Sequence, residues 1–378
     1  MFKTVKGIIF SFVLVGGLLG QNLYAATKVA VGPSTCQPSL VHFSTIQAAV
    51  NAVPFSATIV VCPGTYAEQV VISQPLTLQG VTDGTGNAAV ITVPAAGLVV
   101  NATSYEFGSV TAQVLVQNTV GVTLSDLTVD GTGGTCVGGA NRTVGLEFYH
   151  VGVVQDGVAG GKIQNVVVRN QKNSCAIGEG ILSDTSYITI NANEVHDIDR
   201  TAILANTAKN SITNNSIQRS QNYGIVLDGA AHSFVSGNSI TDGTFAGILL
   251  EGGYTFATVS KNTILNTPSA PGIYLFYAYD NIVTQNTVSN AYWNLLMTGG
   301  YQNTIQSNVF NLAGGDGILD QVSFGGNNIT RNTVNEGAFG IFTDSSVGGD
   351  VLVPNNLFNV PVTVDPGPTT APTTADGT

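Results

Sequence analysis

From about residue 160 to residue 360 the chain alternates short apolar runs with polar turns at a constant interval. An Asn precedes an aliphatic or aromatic residue by two positions at Asn193, Asn215, Asn238, Asn262, Asn286, Asn308, Asn332 and Asn356. The intervals are 22, 23, 24, 24, 22, 24 and 24 residues. A second landmark keeps step with the first: Gly180-Ile181, Ala202-Ile203, Gly224-Ile225, Gly247-Ile248, Gly272-Ile273, Asn294-Leu295, Gly317-Ile318 and Gly340-Ile341. Each unit holds about three short β-rich runs, as in Ser233–Ser236, Ser239–Thr241 and Gly247–Leu250, and no helical periodicity. One such unit cannot bury its own apolar face, so neighbours must stack and share a core. The pattern therefore predicts an all-β, right-handed, single-stranded parallel β-helix. Stacking puts equivalent residues about 4.8 Å apart, which lets the repeated Asn form a ladder of side-chain amides.

A leucine-rich repeat also places Asn two residues before an aliphatic, but it requires Leu at set positions and commonly a helical return. Here Ile, Val and Thr dominate. Left-handed hexapeptide helices require multiples of six, and the Gly-rich calcium nonapeptide fails because Ile318 and Leu319 follow Gly314-Gly315-Asp316-Gly317. The ladder position is extended backwards to Asp126 and Asn165, in two longer coils. From there to the second landmark takes 19 and 15 residues, against 8 to 10 in later coils. Loops of that length are expected to wall a cleft.

The ends differ from the middle. Lys3, Lys6, the apolar run Ile8 to Leu19 and small residues at Ala25 and Ala26 read as a signal peptide over residues 1–26. No stretch is long enough for a membrane span. Residues 27–80 read as an N-terminal cap and first coil. Ser44-Thr45-Ile46-Gln47 has the form of a capping box, and Ile46, Ala49, Val50 and Val53 form one apolar helical face. That helix is expected to plug the open end of the stack. Strands are expected at Thr58–Val61, Val70–Ile72 and Leu76–Leu78. The β-helix proper runs over 81–360, and residues 361–378 form a Pro/Thr-rich tail without a core.

Composition narrows the partners. Only 9% of residues are charged and the formal charge is -11; losing Lys3 and Lys6 leaves 10 basic against 23 acidic residues. Nucleic acid is excluded as a partner on that ground, and polyanions are repelled unless cations mediate. Export, to the medium, the periplasm or the cell surface, makes the four cysteines candidates for two disulfides. The repeat register favours Cys36–Cys62 with Cys136–Cys175, the latter two each ten residues beyond Asp126 and Asn165.

Phe43-Ser-Thr-Ile-Gln-Ala-Ala-Val50, Pro63-Gly-Thr-Tyr-Ala-Glu68 and Leu76-Thr-Leu-Gln-Gly80 resemble the opening of pectate-lyase-superfamily β-helices, and the later units resemble the generic right-handed β-helix repeat. The resemblance covers roughly residues 40 to 360 and implies the fold. It implies no active site. The chain lacks the Gln-Asp-Thr-Leu string of pectin methylesterases, the Asp-Asp pair of polygalacturonases and the Asp-Pro-His motif of alginate epimerases.

Three constellations could carry chemistry. Four residues past the ladder position stand Arg169, Asp197, Arg219 and Asp242, with Lys172, His196, Asp199 and Arg200 close by. Uronate elimination needs cations to clamp a carboxylate, and glycoside hydrolysis needs two carboxylates. Arg169, Asp197 and Arg219 are thus the candidate catalytic residues of a polysaccharide lyase or glycoside hydrolase; a solvated salt-bridge row is the alternative. Asp184, Asn206, Asp228, Glu251 and Asp344 follow the second landmark by four residues. Asp228 with Glu251 could hold Ca²⁺, although no recognised calcium loop is present, so no metal or other cofactor is assigned. Finally, aromatics concentrate over residues 254–301. Tyr274, Tyr277 and Trp293 are the expected sugar platforms if the rings face outward, with core filling as the alternative. Together these readings point to binding, and possible processing, of an extracellular polysaccharide. A non-catalytic surface β-helix contacting proteins or the envelope is the rival.

Overall fold

The computed structural model describes residues 27–82, 84–104, 106–149, 160–172, 177–343 and 349–360. The expected signal peptide, the tail, Cys175 and Asp344 lie outside the described residues, as does the side chain of Cys136, so the second disulfide does too. Each coil contributes one strand to each of three faces. The first face is a 13-stranded sheet from Val41–Phe43 and Lys28–Val31 at one edge to Asn328–Thr330 at the other. The second face includes Val167–Gln171, Glu194–Ile198, Ser216–Ser220 and Ser239–Thr241. The third includes Arg142–Tyr149, Ile177–Asp184, Thr201–Ala205, Tyr223–Asp228, Ala246–Tyr254, Asp316–Gln321 and Phe339–Thr343. Thr263–Tyr279 and Thr287–Thr298 bend round the corner and serve both.

Registers are parallel and carry like onto like. Ile212, Val235, Val259 and Val283 align on the first face, Ile217, Ile240, Ile264 and Val288 on the second, and Ile225, Ile248, Ile273 and Leu295 on the third. All twelve are fully buried, and all but Leu295 are β-branched, so side chains with few rotamers fill a continuous core. The Gly of the second landmark lies where the coil turns into its third face. A Cβ on Gly247 would sit 2.6 Å from the Gly272 carbonyl oxygen and 2.6 Å from Ile264 Cγ2.

The asparagine ladder is present and buried. Oδ1 of Asn262 accepts from the backbone N–H of Asn238 and from its Nδ2, both at 2.9 Å, and Asn262 Nδ2 donates to Val235 O at 3.0 Å and to Asn286 Oδ1 at 2.9 Å. Three assignments shift by one residue. The final rung is Asn355, which accepts from Asn332, rather than Asn356. Asp126, half-buried, and Asn165, exposed, occupy the left-handed position just before the ladder, with φ of 56° and 52°, and Leu127 and Val166 take the buried place. An Asn is suited to both sites, since it tolerates αL, and sequence alone did not separate them. A second ladder, at Asn281, Asn303 and Asn327, was not anticipated. Ser233 and Ala257 interrupt its column and hide the interval.

At the N-terminal end the helix α1 (Ile46–Ala52) buries Ile46, Ala49 and Val50. Its N-cap is Thr45, whose Oγ1 accepts from Ala48 N at 3.1 Å. The expected capping box is not formed. Glu68 of the next coil accepts from Ile46 N and Gln47 N instead, while Gln47 bridges to Val71. Cys36 and Cys62 form a disulfide with Cα atoms 6.0 Å apart.

Candidate functional site

Arg169, Asp197 and Arg219 lie at the corner between second and third faces, and only two of them meet. Arg219 grips Asp197 through Nε and Nη2 at 3.0 and 2.8 Å, His196 Nδ1 lies 2.7 Å from the same carboxylate, and Lys172 Nζ lies 3.6 Å away. The hydrogen bonds from Arg219 hold the Asp197 carboxyl far below the ordinary carboxylate range, and Asp197 raises the guanidinium in return. Arg169 is engaged elsewhere, by Asp130 at 2.8 Å. Asp242 accepts from Asn266 Nδ2 at 3.2 Å. Asp197, Arg219 and Asp242 all have φ near +58° in a column of turn residues, and the Arg219 side chain is 49% exposed. This is a solvated charge row on an outer corner.

The excursions that precede Ser109 and Arg142 lean the other way, over the third face. Ala102–Ser104 pairs antiparallel with Gly108–Val110, Leu98–Val99 pairs with Cys136–Val137, and Asn141 Nδ2 donates to Phe107 O at 2.7 Å. Beneath them an apolar seam runs along the outside of the tube. Leu115, Leu182, Leu204, Val226 and Leu249 pack with Ala102, Phe107 and Val144, apart from the interior core, and the fully buried carboxyl of Glu147, raised to about 8 by burial and then by Asp184, stands in the same column between Leu115 and Leu182. Strands there are apolar on both sides, which is why they read as runs rather than as alternation. The seam continues through Tyr274, Leu296, Leu319 and Phe342 beyond the loops. From Leu182 to Phe342 is seven coil steps, roughly 34 Å at 4.8 Å per step.

Among the described residues, several that stand just before a second-landmark position form one wall of this groove, and several that stand four after it form the other. Glu179, Tyr223, Trp293, Asp316 and Phe339 stand on the first wall, and Asp228, Glu251 and Phe276 on the second. Near the loops, Glu179 is fully buried. It accepts from Thr201 N at 2.9 Å and pairs with Arg142 and Arg200, each at 3.4 Å. Phe107 stacks under both guanidiniums, at 4.4 and 5.4 Å. Burial, opposed by the arginines, raises the Glu179 carboxyl to about 7. Glu106, an exposed residue, is also raised to about 7, first by lost hydration and then by Asp228. Burial raises Asp228, and burial with Asp228 raises Glu251. Tyr223, Phe245, Leu249, Glu251, Tyr274 and Phe276 line a cleft of about 190 Å³. A second cleft of about 400 Å³ includes Tyr292, Trp293, Asp316, Leu319, Phe339 and Phe342.

The aromatics divide into two rows. Tyr274 faces outward between buried Ile273 and Leu275, and it lines the groove with Phe276 and Trp293. Tyr254, Phe256, Tyr277, Tyr279 and Tyr301 form a ridge on the corner between third and first faces, joined by Phe324 and touching the groove row where Tyr277 meets Phe276 edge-on at 4.8 Å. None of the nine aromatics over residues 254–301 is buried. Asp228 and Glu251 are register neighbours, yet among the described residues no group of three His, Cys, Asp or Glu is spaced to hold a metal ion. Sequence reasoning missed Glu106, Phe107, Arg142 and Glu179. Position before the landmark was the signal for Glu179, as for Tyr223 and Trp293; none marked Glu106, whose neighbours come from other coils.

The chain matches the family described as right handed beta helix region over residues 112–264 and 201–358. A search of curated proteins finds no match. Among solved structures it is similar to the mannuronan C-5 epimerase AlgE6 A-module of Azotobacter vinelandii, with a TM-score of 0.64 and 16% identity, covering 88% of this chain and 94% of that one. It is also similar to a mannuronic acid specific polysaccharide family 6 lyase from human gut microbiota, with a TM-score of 0.61, 10% identity and coverage of 89% and 82%. A third is the catalytic domain of a GH87 alpha-1,3-glucanase in complex with tetrasaccharides, with a TM-score of 0.54, 14% identity and coverage of 92% and 68%. At these identities the likeness is one of fold.

Proposed function

The chain belongs to the right-handed β-helix family, and from that premise we propose that it binds an extracellular polysaccharide lengthwise in the third-face groove and processes it at the acidic end. The observation that carries this reading is the groove itself: outward aromatics at Tyr223, Tyr274 and Trp293 along a long apolar floor, ending in carboxylates raised towards neutrality. Rings stack on the apolar faces of sugars, and successive coils repeat at a spacing a polymer can follow. Structures of this fold that act on mannuronan, or that hold tetrasaccharides, support a polysaccharide as partner. At the acidic end Glu106 retains a proton near pH 7 and donates it to a glycosidic oxygen as the bond to the anomeric carbon breaks. Water then attacks that carbon and gives its proton to an ionised Asp228 or Glu251.

On this reading residues 1–26 direct export, and α1 plugs the N-terminal end of the stack. Among the described residues no helix is long and apolar enough to cross a membrane. The test is affinity electrophoresis and reducing-end release on a glycan panel, with Tyr274→Ala, Trp293→Ala and Glu106→Gln beside the parent protein. Binding lost in the aromatic variants and product lost in Glu106→Gln support the proposal. Binding unchanged by both aromatic substitutions would remove the groove from it.

A further inference from the structure

We infer that the glycan taken by this groove is uncharged rather than a uronic-acid polymer. The inference rests on the polysaccharide reading above and narrows it. Glu106, Glu179, Asp184, Asp228, Glu251 and Asp316 all lie along this face. The cations beside them among the described residues are Arg142 and Arg200, and neither is available. Both are held by the buried Glu179 at 3.4 Å and covered by the Phe107 ring, with side-chain exposures of 16% and 25%. The remaining cations of the β-helix sit elsewhere. Arg169, Lys172 and Arg219 are on the second-face corner, Lys162 is on the first face, and Lys209, Lys261 and Arg331 are at the turns flanking that face.

A uronate polymer presents one carboxylate per sugar, and a groove that takes it gains from cations or other donors facing those carboxylates and loses where acids face them. This groove would set those carboxylates against Glu251, Asp228 and Asp316 in a crowded setting where like charges repel strongly. An uncharged sugar meets no such opposition. Its hydroxyls donate to the groove carboxylates, which are acceptors when ionised, while its ring faces lie on Tyr223, Tyr274 and Trp293.

Binding of the full mature protein is measured by calorimetry against two sets of purified polymers at low salt. The first set is neutral, α- and β-glucans, mannan and xylan; the second is alginate and polygalacturonate, each with EDTA and with Ca²⁺. At least one neutral polymer is expected to bind, with both polyuronates weaker by at least about tenfold in either condition. Tyr274→Ala should weaken the neutral interaction. The double variant Asp228→Asn, Glu251→Gln should narrow the gap by improving polyuronate binding, with melting curves to show that it folds. Polyuronate binding as tight as neutral binding, or appearing only with Ca²⁺ and lost in the double variant, overturns the charge argument and leaves the groove as a polysaccharide site. Absence of binding to every polymer overturns both.

Discussion

The Asn262→Ala substitution tests whether the buried amide ladder holds the coils together. Four hydrogen bonds of 2.9 to 3.0 Å end on this side chain. At a net value of about 1 kcal/mol each they sum to roughly 4 kcal/mol. The loss is not evenly spread, because Asn238 Nδ2 keeps Ile212 O and Asn286 Oδ1 keeps Asn262 N, whereas the Asn238 backbone N–H is left buried without an acceptor. The expected destabilisation is therefore about 3–5 kcal/mol. The comparison is Asn266→Gly, at an exposed turn position with φ of 60°, where glycine keeps the left-handed backbone. There the side chain has two exposed contacts, to Asp242 at 3.2 Å and Asn290 at 3.0 Å, and under about 1 kcal/mol should be lost. Urea unfolding gives the difference in stability. Hydrogen exchange then locates it, since in a solenoid the damage should concentrate in the coils containing Asn238, Asn262 and Asn286. Equal losses in the two variants, or exchange spread evenly along the chain, would refute the reasoning.

Other outcomes follow from single sites. Asp320, fully buried beside Asp350, is raised to about 8 by burial and then by its neighbour. A group raised in the folded state stabilises most fully below its unfolded value, so stability should fall as pH rises from about 4 to about 8 and level off above. Denaturation curves across that range should show it, and Asp320→Asn should flatten the profile. Gly247→Ala places a Cβ 2.6 Å from both the Gly272 carbonyl oxygen and Ile264 Cγ2, and should cost about 1–3 kcal/mol in urea melts. Reducing the Cys36–Cys62 disulfide, which spans 26 residues, should cost about 3.5 kcal/mol by the chain-entropy relation, seen as a lower melting temperature with dithiothreitol. Arg219→Ala, on the exposed corner, should change stability by at most about 1 kcal/mol. A larger change would mean that its pair with Asp197 is not solvated as described.

The repeat was legible because stacking imposes an interval that mutation cannot slide. Ile225, Ile248 and Ile273 must face one core, and Asn238, Asn262 and Asn286 must stay one coil apart to satisfy buried backbone N–H groups. Such periodic constraints are written along the chain, and they give the fold. They do not separate two Asn columns one residue apart, which is why Asp126, Asn165 and Asn356 were placed one position from their true sites. The row of acids after the second landmark was also visible, as was the concentration of aromatics. Their sorting into a groove and a ridge was not.

What the sequence determined by itself was the coil: its length, its three strands, its inward residues and the disulfide between Cys36 and Cys62. What the tertiary structure decided was which side of the tube the loops cover. The corner that joins Asp197 to Arg219 looked rich in chemistry because charges are easy to see at a fixed interval, although Arg169 falls one position out, opposite His196, and pairs with Asp130. The excursion carrying Glu106 and Phe107 instead folds over the third face and meets Arg142, Glu179 and Arg200 from three other coils. No interval records that meeting. It depends on an aperiodic loop burying its own apolar residues, Ala102 and Phe107, against Leu115, Leu182 and Leu204, and burial carries no direction until the tube is built.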